Sequence, residues 1–547
     1  MVSFATFFSL LVGFSTYASA SQYGGNSKEL CKVVDAGLPG RVSYPGTTGY
    51  NASQTVYYTS YERDLKPGCV FRPQSASEVS SFIKLVRSRD GDFAVRSGGH
   101  MLWEGAANTD GGITVDMRSL NSFSMSQDTK SIRIGGGTIF SELYPKLTPY
   151  NVTVSGARLP GIAAGGYLSG GKYKPSTRDP TQRLTVIVGG VGFFARSHGW
   201  SCDHVSGFEV VLSSGKIVEA TAATNSDLWL ALRGGSNNFG IITRFDIETI
   251  PMGTMWGGQV AFKYTQEALD AQAKAFSEYI SPQNTDLKGG SLCTLLANLP
   301  RTRCIANCRY TLAMMAMIHV FQNPNKTYSL ANALFHTGGI ANPPVFAKFL
   351  ATPGQVANQV ASGSLADIVG AFGKTLPKSI DRYASSPQYP STNATNSTSS
   401  FQLVFSFKHS DASIYTELWK IWKAGVAPID DTTGLGIQFL IQPHPISNGT
   451  NSLGLDADAT NIVMATVTAG YPNAADDAKV QPAISSLVGQ MEKMLQGKGV
   501  YLPFKYLNYA DVSQDAIGSY GKKVSEFRVR TRCEEVGTDC GYRSRRR

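Results

Sequence analysis

The order of hydrophobic and polar residues predicts short strands separated by glycine clusters in the first half of the chain. Runs of β-branched and other apolar residues end repeatedly at glycines, as strands that lead into tight turns do. These runs predict strands over 93–100, 112–117, 132–137, 208–212, 217–220 and 240–247. Apolar residues that recur every four positions predict an amphipathic helix over 138–147, and Ser226 is expected to cap a helix that ends at Leu232.

Beyond Pro251 the pattern changes to longer helices that bracket apolar, strand-like runs. Helices are predicted over 267–279 and 475–495, and the polar stretch 385–400 is predicted to be a surface loop. The strand-like runs are 401–407, 436–441 and 461–467. We therefore predict a second α+β domain with an antiparallel sheet over 253–495.

Length and charge limit the kind of protein. A chain of 547 residues is too long for one ordinary core, and a composition of 42% hydrophobic and 16% charged residues is typical of globular domains. Most of the net charge of +10 falls in two segments, 172–188 and 522–547. The remainder has no basic face for phosphates, so we expect no nucleic-acid partner and a monomer that binds small molecules.

The N-terminus predicts export. Residues 1–20 form an apolar stretch that ends in small residues, and we expect a signal peptide cleaved after Ala20. Because a positive start is missing, a membrane-anchored start is the alternative, although no other run is long enough to span a membrane. Potential glycosylation sites agree with secretion to the extracellular space; they are Asn51, Asn151, Asn325, Asn393, Asn396 and Asn448.

Cysteine usage fits an oxidising compartment. Cys31 and Cys69 flank an early loop-rich segment and are the best candidates for a disulfide, whereas Cys202 is predicted to be a buried thiol. A further group could be read as a metal site or as containing a disulfide; it consists of Cys293, Cys304, Cys308 and His319. Its spacing fits no standard zinc pattern, so we prefer the disulfide and predict no metal.

One glycine turn suggests chemistry. Arg96-Ser97-Gly98-Gly99 offers consecutive backbone N–H groups with little side-chain obstruction, which suits a diphosphate. His100 follows directly and would lie beside whatever carries that diphosphate. A purely structural histidine is the plain alternative.

Several motifs in one order resemble a known family. They are 96–100, Gly135-Gly136-Gly137, 165–171, 193–203, 227–235 and 238–243, followed near the end by 506–511. Together they resemble the FAD-binding domain and closing motif of the berberine bridge enzyme-like oxidases, of a secreted fungal type. That group lies within the vanillyl-alcohol oxidase, or PCMH-type, flavoproteins. The resemblance runs from about residue 60 to residue 521.

The resemblance implies an α+β architecture. A PCMH-type FAD-binding domain of two subdomains would occupy 21–252, the substrate domain 253–495, and a C-terminal return to the FAD domain 496–521. It implies FAD bonded covalently to His100. Leu159 stands where other members have a second, cysteinyl tether, so a single bond is expected. The implied cofactor-binding residues are Arg96, Ser97, Gly98, Gly99, His100, Gly165, Gly166, Gly240, Ile242, Asn508 and Tyr509.

The implied reaction is an oxidation. A base removes a proton from a small-molecule alcohol, sugar or secondary metabolite while hydride moves to FAD, and oxygen becomes hydrogen peroxide. A dehydrogenase with another electron acceptor is the second hypothesis, and an inactive product that keeps the fold is the third. No base is assigned: Gln438 and Gln442 face either the substrate or ordinary sheet packing, and Tyr506 is either an acid–base group or an interdomain hydrogen-bond donor.

Two segments depart from the family pattern. Residues 172–188 interrupt the glycine motif, and 522–547 replace the family's usual ending with arginine-rich sequence. Gly171-Lys172-Tyr173 and Val524-Ser525 can each be encoded by a splice-donor sequence. Our hypothesis is that 172–188 derives from a retained short intron of a mis-spliced gene. The tail is expected not to belong to the fold, with a genuine basic tail as the alternative.

Overall fold

The computed structural model describes most of the chain between residues 24 and 520. The described residues are 24–87, 89, 91–170, 189–281, 312–323, 325–374, 385–386, 389–390, 399–447, 453, 455, 461–516 and 518–520. The predicted signal peptide, the predicted insertion 172–188 and the predicted tail 522–547 lie outside them.

Two small sheets form the first half. The N-terminal sheet has two parallel pairings and one antiparallel pairing, and its order is Val42–Ser43, Cys69–Phe71, Ile113–Asp116, Phe93–Arg96. The middle sheet is antiparallel throughout, in the order Phe123–Met125, Ser131–Gly135, Ile241–Glu248, Val205–Val211, Ile217–Thr221. A short antiparallel pair, Val152–Thr153 with Ile250–Pro251, closes this half.

One large antiparallel sheet dominates the second half and is called here the substrate-side sheet. Its strands, in spatial order, are Gln355–Asn358, Met255–Lys263, Thr327–His336, Ala313–Gln322, Gly436–Pro443, Ile462–Tyr471, Ser399–Lys408 and Tyr501–Leu502, and Ala361–Gly363 also pairs with Met255–Lys263. A separate minimal pair joins Ser385–Ser386 to Tyr389–Pro390.

Helices cover the sheets. The α-helices are Gly24–Gly37, Thr48–Gln54, Ser60–Arg63, Ala76–Val86, Phe140–Leu147, Ala164–Ser169, Ser226–Leu232, Gln266–Ile280, Ala347–Leu350, Leu365–Gly373, Ser413–Val426 and Asp477–Gly497. Short 3-10 turns are Met117–Ser119, Thr148–Tyr150, Ser201–His204, Ser236–Phe239, Pro344–Phe346, Ala427–Ile429, Ala474–Asp476, Leu507–Tyr509 and Gly518–Tyr520. No helix among the described residues is long and apolar enough to cross a lipid bilayer.

The two faces of the substrate-side sheet have different partners because side chains alternate along a strand. Met317 and Phe439 point to a core formed with Phe276, Trp422 and Leu487 of the covering helices. The other face packs its apolar residues against the first half of the chain, as Phe335 does against Phe193. The sheet therefore has a helical layer on one side and the first half of the molecule on the other.

The predicted α+β class is confirmed, with differences of detail. Asn225, not Ser226, caps the helix Ser226–Leu232: Asn225 has a left-handed backbone and Ser226 is already helical. The predicted loop 385–400 was too long, since Ser399 begins a strand. Three long strands, besides several short ones, escaped the sequence patterns; the long ones are Met255–Lys263, Ala313–Gln322 and Thr327–His336.

The cysteine predictions are confirmed where they can be compared. Cys31 and Cys69 form a disulfide, and Cys202 is buried and free. Cys293, Cys304 and Cys308 lie outside the described residues. His319 is buried among the rings of Tyr264, Trp419 and Phe439, and within the described part of the chain no cluster of three metal-binding side chains occurs.

The disulfide supports a testable prediction. Replacing both Cys31 and Cys69 with serine is expected to destabilise the N-terminal sheet by about 4 kcal/mol, since the bond closes a loop of 38 residues. Thermal unfolding should show a lower midpoint. Dithiothreitol should lower the midpoint of the wild type by at least this shift and that of the double variant by less; equal midpoints for the two untreated proteins would contradict the prediction.

Candidate active site

A cavity of about 950 Å³ lies between the first half of the chain and the substrate-side sheet. Its volume is at the upper end of the range for small-molecule pockets. One wall consists of glycine-rich loops together with His100, and the opposite wall includes Ile318, Gln438 and Thr468 from the sheet. The C-terminal residues Asn508 and Tyr509 complete the enclosure.

Three glycine motifs meet at the first wall through backbone contacts. The hydroxyl of Ser97 donates to the carbonyl oxygen of Gly136 at 2.6 Å, and the N–H of Gly165 donates to the same oxygen at 3.2 Å. A Cβ on Gly98 would lie 2.9 Å from the backbone nitrogen of Ala163, and one on Gly165 would lie 2.8 Å from Ser97. Larger residues would separate the loops, so the motifs must be glycines.

His100 follows this contact directly. Gly99 has φ of +62°, a left-handed conformation that favours glycine, and its carbonyl oxygen accepts a hydrogen bond from the N–H of Tyr58 at 3.0 Å. The ring of Tyr58 stacks on the His100 imidazole with centroids 4.2 Å apart. This stacking orients the imidazole at the cavity wall.

Arg96 was expected to contact the cofactor, but its side chain does not line the cavity. Val95 and Ser97 line the cavity, but Arg96 points to the other side of its strand and forms an ion pair with Asp116, both side chains being 1% exposed. Burial opposes the charge of Asp116, but the guanidiniums of Arg96 and Arg72 hold its pKa below the usual value. Arg96 therefore supports the glycine turn from beneath and does not contact the cavity.

This ion pair supports a second prediction. Asp116→Asn is expected to lower the free energy of unfolding by about 3–5 kcal/mol, because it leaves the buried Arg96 guanidinium without its carboxylate. Urea denaturation at neutral pH measures the loss. Asp64→Asn, at a carboxylate whose side chain is 65% exposed, should cost less than about 1 kcal/mol. Similar losses in both variants would refute the assignment.

Most of the other expected cofactor residues line the cavity. Ser97, Gly98, Gly99, His100, Gly165, Gly166, Ile242, Asn508 and Tyr509 all line the cavity. Gly240 does not: its φ is +144°, and a Cβ there would lie 2.4 Å from the carbonyl oxygen of Val211. It serves the packing of the middle sheet. Leu159 also lines the cavity.

The three catalytic candidates, Tyr506, Gln438 and Gln442, have different environments in the structure. Tyr506 lines the cavity but is 1% exposed and packs on Trp200, and burial raises its pKa well above the ordinary value. Asn508 donates to its hydroxyl at 3.2 Å. Gln438 lines the cavity, and Gln442 is fully buried with its side-chain oxygen bonded to Arg158 at 2.9 Å.

Arg158 was missed by the sequence analysis. Its Nη2 donates to the side-chain oxygen of Gln442 and, at 3.0 Å, to the hydroxyl of Tyr509. Gln402 donates to the carbonyl oxygen of Tyr509 at 3.0 Å and accepts from Thr468 at 2.7 Å. Arg158 directly precedes Leu159, the position compared with the family's second tether. A charged residue next to that position was the available signal for a role at the cavity.

The two flanks of the predicted insertion lie beside each other next to the cavity. A Cβ on Gly189 would lie 3.3 Å from the carbonyl oxygen of Leu168. Gly170 bonds through its N–H to Gly166 and accepts from Ser236, and the carbonyl oxygen of Gly189 accepts from the N–H of Cys202. Both flanks are therefore anchored independently of the segment between them.

The cavity fits FAD. Glycines at 98, 99, 165 and 166 leave backbone accessible along one wall, where a diphosphate needs N–H donors and no side chains. Gly166 has open space in front of it, since a Cβ there would contact nothing within 4 Å. His100 lies at the end of the same turn.

Comparisons with known proteins agree with this geometry. Residues 67–181 match the family described as FAD binding domain. FAD-dependent monooxygenase tpcD of Cochliobolus heterostrophus is 29% identical over 501 residues, which cover 89% of this chain and 86% of that protein. The sequence likeness thus extends through both halves.

Solved structures show the same fold. 6-Hydroxy-D-nicotine oxidase from Arthrobacter nicotinovorans matches with a TM-score of 0.64 and 18% identity, covering 91% of this chain and 95% of that one. A berberine bridge enzyme variant named as a reticuline dehydrogenase matches with a TM-score of 0.62 and 14% identity, covering 88% of each chain.

Fold, cavity and FAD-binding domain together define a FAD-dependent oxidoreductase. Its fold is that of 6-hydroxy-D-nicotine oxidase and berberine bridge enzyme, in agreement with the resemblance of its motifs to the berberine bridge enzyme-like flavoproteins.

Proposed function

We propose that this protein is a secreted oxidase that takes hydride from a small-molecule alcohol, sugar or secondary metabolite and holds FAD covalently through His100. The observation that carries the proposal is the position of His100, which ends the glycine turn at the cavity wall and is oriented by Tyr58. When bound, FAD would supply the hydride acceptor, and its two electrons with two protons would reduce oxygen to hydrogen peroxide.

The chain's own residues bind the cofactor, orient the reacting groups and exclude water from the cavity. The contacts among Ser97, Gly136 and Gly165 hold the cofactor wall, while Tyr58 fixes the imidazole plane. Tyr509, bonded to Arg158, presents a phenol oxygen to the cavity and is the described residue best placed to exchange a proton with the substrate. The apolar residues Ile318, Phe335 and Leu440 restrict water on the sheet side.

Oxygen use tests the proposal. Turnover of an alcohol substrate by the purified holoenzyme is expected to consume one mole of oxygen and release one mole of hydrogen peroxide for each mole of ketone or aldehyde, so that atoms balance. Turnover only with an added electron acceptor would support a dehydrogenase instead. That alternative is suggested by the berberine bridge enzyme variant named as a reticuline dehydrogenase.

A monooxygenase is the second candidate, because tpcD carries that name. It would place one oxygen atom in the product and reduce the other to water with two electrons and two protons from a nicotinamide-type reductant or from the substrate itself. Reaction under ¹⁸O₂ distinguishes the two: an oxidase product carries no label from the gas. Labelled product without peroxide would overturn the oxidase proposal.

Secretion has a separate test. Export is expected to yield a mature protein that begins at Ser21. Asn51, Asn151 and Asn325 are exposed and so accessible to glycosylation, whereas Asn393, Asn396 and Asn448 lie outside the described residues. N-terminal sequencing of protein from the culture medium, with and without endoglycosidase, provides the measurement, and an intracellular chain that retains residues 1–20 would contradict the proposal.

A further inference from the structure

The cavity wall has an unusual balance of charge near Arg158. Among the described residues that line the cavity, Arg158 is the sole side chain with a permanent charge, and aspartate and glutamate are absent. Its two protein partners, Gln442 and Tyr509, are both neutral. A guanidinium taken from water into a cavity requires a compensating anion or a full set of acceptors.

Several other partly or fully buried arginines among the described residues have carboxylate partners, whereas Arg196 donates to the carbonyl oxygen of His444. Arg96 is paired with Asp116, and Arg244 is paired with Glu209, Glu219 and Asp246. Within the described part of the chain, Arg158 has no carboxylate within the 4.0 Å expected of an ion pair. Its charge is therefore available to a molecule in the cavity.

The donors beside Arg158 are also uncommitted. Both hydrogen bonds of the guanidinium use Nη2, which leaves Nη1 and Nε to donate elsewhere. The side-chain nitrogen of Gln442 is buried and has no hydrogen-bond partner among the described residues, while its oxygen lies on Arg158. Arg158 thus brings N–H donors to the cavity wall that have no acceptor among its protein partners.

The remainder of the sheet-side wall defines the body of the ligand. Ile318, Phe335, Phe372 and Leu440 are apolar, and the polar residues among them, including Gln438, are uncharged. Such a wall suits an apolar ring, whereas an amine cation would meet a positive charge and no carboxylate.

From these observations we infer that Arg158, held in place by Gln442, forms an anion subsite, which selects substrates with an acidic oxygen, a carboxylate or a phenolate, on an apolar ring. The inference rests on the proposed function, because it names the substrate class of the same cavity. Arg158 acts here as a binding and specificity residue. Tyr509, held on its Nη2, is positioned beside that anchored oxygen.

Benzoate and its neutral isostere benzamide are suitable probes. Titrated into the purified holoenzyme and followed by isothermal calorimetry and by the flavin absorption spectrum, benzoate is expected to bind at least about tenfold more tightly than benzamide. Arg158→Gln should abolish this preference by weakening benzoate alone. Arg158→Lys should retain part of it, because the charge remains but the planar fork of donors does not.

A matched control removes the same charge elsewhere. Arg133 lies on the middle sheet with its side chain 65% exposed, and Arg133→Gln should leave the preference for benzoate unchanged. Equal affinities of the two probes for the wild type, or an undiminished preference in Arg158→Gln, would overturn the inference. So would an Arg158→Gln protein that keeps its benzoate affinity but loses flavin, since the guanidinium would then serve the cofactor.

The result is independent of the covalent bond. If the wild type lost all its flavin in acid yet still preferred benzoate, the covalent part of the proposed function would fail and the anion subsite would stand. If covalent flavin were present without any preference, the opposite would hold.

Discussion

His100→Ala is expected to give a protein from which acid releases all the flavin, whereas the wild type keeps its yellow colour in the precipitate. In the proposed bond the imidazole is the nucleophile, and Tyr58 stacks on it at the cavity wall. The glycine contacts that form the non-covalent site remain in the variant, so it should fold and bind some FAD reversibly. Absorbance at flavin wavelengths before and after acid precipitation measures the effect.

His409→Ala is the matched control for this variant. His409 contacts Ser277 and Tyr415 and does not line the cavity, so its loss should leave acid-stable flavin unchanged. Acid-stable flavin that persists in His100→Ala would show that another residue forms the bond and would end the assignment.

Deleting 171–188 is expected to raise flavin content and turnover severalfold above those of the full chain. Gly170 and Gly189 border the deleted segment, and Ser169, Gly170 and Val191 line the cavity. Additional chain at this point would obstruct or loosen the cofactor wall. The flanks lie beside each other already and have their own hydrogen bonds, so joining them should not disturb either one.

A length control accompanies this deletion. Replacing 172–188 by a glycine–serine segment of equal length should reproduce the low flavin content of the full chain if the extra length is the cause. Full flavin content in the intact chain, with a colourless deletion variant, would contradict the prediction. Sequencing the mature transcript tests the intron hypothesis directly.

The cofactor wall was predictable because each glycine motif has a local reason. Gly98, Gly99 and Gly165 must lack side chains for the loops to touch, and that requirement is visible in the sequence. Adjacency in a motif does not tell which side of a strand a residue faces. Arg96 was misplaced for this reason, although the alternation of Val95, Arg96 and Ser97 along a strand already separates it from its neighbours.

The substrate wall was predicted less well. The strand Ala313–Gln322 is almost wholly apolar because both of its faces are buried, so it lacks the alternation that marks a half-exposed strand. The role of Arg158 depends on Gln442 and Tyr509, which lie 284 and 351 residues away in the chain. These three residues come together only after folding, so no local sequence pattern predicts their contact.

The separate origin of the two cavity walls has a consequence for diversification. The proposed cofactor contacts come from loops in which Gly98, Gly99 and Gly165 leave no room for a side chain. The facing strands expose alternate side chains that take no part in those loops. Exchanges at Gln438, Leu440 or Thr468 can therefore create new substrate preferences while the redox half is inherited intact. Directed evolution of a new biocatalyst would begin at those three positions.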